Sequence, residues 1–361
     1  MKWMHTYDSL LASIDEVDMV KYARTRNYLN GDVTQWGPYI SRGVISVPQI
    51  IERLAQQNRL NRGSEKFLQQ LIWREFWQQQ AFISPNLIKL NQQGDRGYKP
   101  LMPKAVLEAQ TKISVLDQGL RVLYQDGFMH NHLRLYMAAL VCNVAKQDYY
   151  WPSKWLYYHL LDADWASNLL SWKWVAGEGR QKQYWMNQDN INRYSGTLQQ
   201  GGYLDCSYEE LVMKPCPELL KGLQSLELLS DLPSSENKLN HDQDMALYTP
   251  YNLDPLWLKD LSVQRVLLLE PSHFKAYPLS KKVVDFICQL GKQMISGLVV
   301  VALDFTDLKA KYPGSTFYYK EHYFNEHFVG KMTPRSFLIS PGEVPIKQFF
   351  TYYKKVAKKV L

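Results

Sequence analysis

At 361 residues the chain is long enough for two domains and a large core. Hydrophobic residues make up 46% and charged residues 21%, ordinary for a folded soluble protein, and the net charge of +7 leans mildly toward anionic partners. Cys142, Cys206, Cys216 and Cys288 form no CxxC pair and no zinc spacing, which argues against a disulfide framework, an iron–sulfur cluster or a metal site. No signal peptide opens the sequence and no apolar run reaches bilayer length, so a cytoplasmic, reduced protein with no membrane partner is expected.

Taken in chain order, residues 1 to about 225 read as mostly helical. The segments "VISVPQIIERLAQQ", "EKFLQQLIWREFWQQQAFI", "SVLDQGLRVLYQDG" and "MHNHLRLYMAALVCNVAKQ" repeat apolar residues at three- and four-residue steps. Gly43, Gly127 and Gly177 fall near the ends of such segments, where glycine is favoured. Nothing in this part alternates cleanly enough for a sheet. Between residues 59 and 104 lie Arg59, Arg62, Lys66, Arg74, Lys89, Arg96, Lys99 and Lys104, interleaved with Trp73, Trp77 and Tyr98. Such a mixture can follow a phosphate backbone while offering stacking surfaces, though taken by itself a solvated helix face is the better explanation.

In "LLDADWASNLLSWKW", residues 160–174, a helix places Asp164, Asn168 and Trp172 on one face, four residues apart. Acids and amides on an aromatic face suit a planar polar ligand, or simply a half-wet helix. Residues 226–254 are polar and turn-rich and are read as a linker or surface loop. A small α/β domain is expected over 255–361, with strands at 265–270, 297–305, 316–321 and 336–340. A helical pattern between the first two strands argues for a βαβ unit with a parallel sheet. The 11 Trp and 24 Tyr exceed what packing alone requires and favour ligand pockets and interfaces.

Four of these segments, in order, resemble the FAD-binding domain of the photolyase/cryptochrome family across roughly residues 20–195. "KYARTRNYLNGDVTQWGPYISRGVIS" is similar to its flavin phosphate-binding segment, "LQQLIWREF" to its signature helix, "DGFMHNHLRLYMA" to the segment beside the flavin ring, and "LLDADWASNLLSWKW" to the Asp-x-Asp, Asn and Trp helix. The resemblance implies FAD as cofactor, with Tyr22, Thr34, Gln35, Trp36, Phe67, Arg74, Asn131, Arg134, Asp162, Asp164 and Asn168 around it. Asp162 and Asp164 would face the ring edge and the ribityl or adenine side, Asn168 would face N5, and Arg134 would pair with Asp162. A buried carboxylate requires such a partner.

For activity, the resemblance implies light-driven repair of cyclobutane pyrimidine dimers in single- or double-stranded DNA. Trp73 would stack on the lesion, Gln70 and Asn131 would hydrogen-bond it, and Arg26, Arg74, His132 and Trp174 would bind DNA. The sequence departs from the pattern at several places. The family's α/β domain precedes the flavin domain, whereas here the α/β-like segment follows it, as a rearranged counterpart would, which leaves an antenna pigment doubtful. Gln70 stands where dimer-repairing members carry Glu, and Leu135 where they carry Met. Trp172 matches the innermost member of the family's electron path. The middle position falls on Tyr149, with Trp151 two residues on and Trp155 as another route, and the outermost falls near Arg96 and Tyr98. Two further readings remain open: a blue-light photosensor that keeps the flavin, with a signalling partner, and a nucleic-acid-binding module with a degenerate flavin site.

Overall fold

Local signals set most of the element ends. Ser46 and Gln49 close a capping box ahead of the helix Val47–Gln56, whose buried side holds Val47, Ile50, Ile51 and Leu54 at the predicted spacing. Gly177 ends the helix Trp165–Ala176 in the left-handed conformation, which costs glycine nothing. Gly43 is needed for a second reason. Besides its φ of 65°, a Cβ there would lie 2.3 Å from the Tyr251 carbonyl oxygen. The computed structural model describes residues 6–88, 97–179, 182–234, 239–343 and 348–360.

The chain divides into two compact units. One consists of Val20–Val33 and Asn86–Leu228. Its principal helices are Ser114–Asp126, Asn131–Ala139, Tyr150–His159, Trp165–Ala176 and Gln188–Ser195. The second of these runs on into a π turn at Leu140–Val144. Although no sheet is expected in this mostly helical part, strands β1 (Leu101–Pro103) and β2 (Leu223–Ser225) pair here as a short antiparallel ribbon. Three residues are too few for alternation to be visible in the sequence.

The other unit gathers the residues up to Met19, Thr34–Pro85 and those from Leu229 onward. It holds the signature helix Glu65–Ile83 and a parallel sheet of β3 (Met245–Tyr248), β4 (Gln264–Leu269), β5 (Leu298–Ala302), β6 (Phe317–Lys320) and β7 (Lys331–Thr333) in the order β5-β4-β3-β6-β7. The helix Lys281–Met294 connects β4 to parallel β5, giving the predicted βαβ unit, with Val266 opposite Val299. Every residue of β3 is buried, although the sequence places it inside a polar linker. A central parallel strand covered on both faces is a short continuous apolar run, which "MALY" is, at the end of an otherwise polar segment.

The expected strand at 336–340 does not form. Leu338 and Ile339 are buried, but their backbone groups bond to side chains of the signature helix rather than to a neighbouring strand. The last element, the C-terminal helix Phe349–Val360, buries Phe349, Tyr352 and Val356 against that same helix.

Candidate functional site

In the helical unit the predicted ion pair is present. Arg134 donates from Nη2 to Asp162 at 2.9 Å and from Nε to the Met129 carbonyl, and the two side chains keep 21% and 15% of their surface exposed. The carbonyl fixes the guanidinium plane, so the pair is oriented as well as attracted. Asp164 is buried and caps its own helix by accepting from the Ser167 N–H at 2.8 Å. Asn168 donates its amide to the Ser153 carbonyl at 2.7 Å, which holds the Asn in one rotamer. Asn131 is exposed at the first turn of its helix, and Leu135 lies half-buried one turn on. Burial raises the Tyr22 phenol above its usual range, with Arg26 nearby working against that shift.

Three of the aromatics expected on the electron path lie together. The Tyr98 ring stands 5.8 Å from Tyr149, edge to face, and its carbonyl accepts from the Trp151 indole at 3.1 Å. Trp155 belongs to a separate group with Tyr124 and His159. Trp172 is buried, and its indole N–H has no partner among the described residues. Arg96 and Lys89 lie outside the described residues.

Two residues expected to meet DNA are placed otherwise. His132 is buried, bonds through Nδ1 to the Asn27 carbonyl at 2.7 Å and packs on Tyr136 and Tyr194. Burial holds its ring below the usual histidine range. Trp174 is half-buried against Tyr184, and Arg26 donates to its neighbour Asn27.

In the sheet-bearing unit, Thr34 and Gln35 are half-buried and Gln35 has a φ of 54°, a left-handed turn in the phosphate-binding segment. Trp36 is buried, donates to Ser13 Oγ at 3.0 Å and meets Phe67 edge to face at 5.8 Å. Arg74 reaches Ser41 Oγ, while its Nε is buried without a partner. Gln70 is half-buried one turn before Trp73.

The surprise is Trp73. Its ring lies face to face with Phe349, centroids 3.5 Å apart and planes 6° from parallel. Below it, Glu75 is buried and accepts from the Leu338 N–H at 2.8 Å and from the Tyr352 hydroxyl at 2.9 Å. Burial pushes its carboxyl up to about 7, against the pull of those donors and Arg335. Arg335 also donates to Gln78. No sequence reading singled out Glu75, Tyr352 or Phe349. The available signal was the apolar spacing 349, 352, 353, 356, 360 in "FFTYYKKVAKKV".

Residues 67–242 match the family model described as the FAD binding domain of DNA photolyase. The chain is 33% identical over 151 residues to deoxyribodipyrimidine photo-lyase of Vibrio cholerae, covering 39% of this chain and 32% of that one. It is 26% identical over 188 residues to cryptochrome-2 of Arabidopsis thaliana, covering 47% and 30%. A cryptochrome structure from Synechocystis aligns with a TM-score of 0.46 at 22% identity, covering 61% of this chain and 49% of that one. The chain therefore spans about a third of the length of these two curated relatives.

The residues present fit a flavin. Buried donors without partners are uncommon in a finished core and are often completed by a bound group. In the helical unit Trp172 Nε1, which has no partner among the described residues, falls on a residue that the resemblance assigns to the flavin's electron supply. The Arg134–Asp162 pair is fixed yet partly open. Residues 67–242 thus carry the match to the FAD-binding domain of the photolyase/cryptochrome family, with FAD as its cofactor.

Proposed function

We propose that this chain uses light and bound FAD to split cyclobutane pyrimidine dimers in DNA. The observation that carries the reading is the oriented Arg134–Asp162 pair, at 2.9 Å, inside the region that matches a DNA photolyase domain. Bound FAD supplies the light-driven electron that the chemistry requires. The remaining work falls to side chains. Arg134 holds Asp162 in place through a charged hydrogen bond, Asn168 is locked by Ser153, and Arg74 offers a cation beside Ser41. Trp73 would stack on an extruded base, with Gln70 one turn away on the same helix bonding its polar edge. Gln70 can donate and accept but brings no ionisable proton, so any proton at the lesion has to come from elsewhere.

A photosensor is the second reading, and one observation favours it: the Trp73 face is covered by Phe349. Gln70 and Leu135, both departures from the repair pattern, point the same way. The test is direct. The purified chain is illuminated without oxygen, with a reductant and a dimer-containing oligonucleotide, and dimers are counted. Loss of dimers together with a flavin spectrum supports repair. A reducible flavin with intact dimers overturns repair in favour of sensing, and a colourless protein sinks both.

A further inference from the structure

The stack of Phe349 on Trp73 differs in kind from the aromatic contacts around it. Aromatic side chains pack offset or edge to face with centroids 4.5–7 Å apart, because cofacial rings set like quadrupoles against each other. The neighbours of Trp73 obey this: Trp77 lies tilted at 5.2 Å and Phe76 edge-on at 5.6 Å. Phe349 alone lies parallel at 3.5 Å, the separation of a nucleobase stacked on a ring. Phe76 flanks Phe349 edge-on at 5.6 Å and is itself packed 5.6 Å from Tyr352.

The outer side of the same helix has matching chemistry. Lys354, Lys355, Lys358 and Lys359 are exposed in two rows of i, i+4 spacing, and the helix contains no acid. Phe350, beside the stack, is 63% exposed. Because the apolar side is already buried on the signature helix, what remains is a cationic face with one aromatic, which suits a polyanion carrying bases.

We infer that Phe349 occupies on Trp73 the place of an unpaired base, so that a single-stranded nucleic-acid segment and the C-terminal helix compete for that face. The inference rests on the proposed role of Trp73 and adds the residue that must leave before Trp73 can act. It concerns binding in the dark, so it can hold or fail independently of repair.

The experiment measures anisotropy of a labelled, undamaged oligothymidylate with the full chain, in the dark. Phe349→Ala is expected to tighten binding about five- to tenfold, the size of one aromatic stack, and Trp73→Ala in that background is expected to erase the gain. Phe349→Leu keeps an apolar side chain but no ring, so it decides the matter should the Ala variant fail to fold. Equal binding by Phe349→Leu and the parent overturns the inference. So does a gain that survives Trp73→Ala, because the helix would then be hiding some other surface.

Discussion

Arg134 and Asp162 show how a single pair can be legible in sequence while its neighbours are not. The pair is readable through the family resemblance, which sets Arg134 on its helix opposite Asp162 in the turn before the next one, and a half-buried carboxylate needs such a partner. Asp164 and Asn168 were assigned to a ligand, yet one caps its helix and the other bonds Ser153, local roles that spacing cannot distinguish from ligand contact. Arg134→Ala should lower flavin retained per purified protein at least tenfold and cost about 1–3 kcal/mol, the worth of a bond to a charged group. Absorbance at the flavin band and a urea midpoint read the two effects, and full flavin content would reduce the pair to scaffolding. Trp172→Phe should abolish light-driven flavin reduction while leaving flavin content unchanged. Reduction at the parent rate would instead route electrons through the Tyr98, Tyr149 and Trp151 group without it.

At the level of elements, the long helices and the βαβ unit were visible because their periodicity persists for ten residues or more. The misses were short. Strand β3 is four residues long, and the apolar run at 336–340 had strand composition but no strand partner. Its backbone satisfies Glu75 and Gln79 of the signature helix, a long-range demand that no local pattern encodes. Glu75 makes this docking dependent on pH. Its carboxyl is ordinarily protonated below 4.5 and in the folded chain below about 7. Between those values the folded chain keeps a proton that the unfolded chain has released, so stability falls as pH rises through the window and is flat above it. The whole change is on the order of 3 kcal/mol. Urea midpoints at about pH 5 and about pH 8 should therefore differ for the parent and converge for Glu75→Gln. A parallel pair of curves would mean that Glu75 is ionised in the fold. Gly43→Ala should cost at least about 2 kcal/mol, since it meets both the left-handed φ and the Tyr251 carbonyl; a thermal midpoint unchanged from the parent would refute that.

For the whole molecule, neither compact unit is a continuous stretch of chain. The flavin-domain resemblance ends near residue 195, which invites cutting the chain at about residue 225 to obtain an FAD-binding fragment. Such a fragment would contain the signature helix without Leu338, Phe349 or Tyr352, leaving buried Glu75 and Phe76 uncovered. It should be recovered aggregated, and a soluble, yellow fragment would show that the C-terminal helix is dispensable for folding. The same separation sets a schedule for biosynthesis. Glu75 and Tyr352 are 277 residues apart. A ribosome adding ~5–20 residues per second delivers Tyr352 roughly 15–55 s after Glu75. For all of that time the nascent signature helix shows an apolar aromatic face that its own chain cannot yet shield, so the yield of folded protein in cells should rise with slower growth temperature and with chaperones that grip hydrophobic nascent segments.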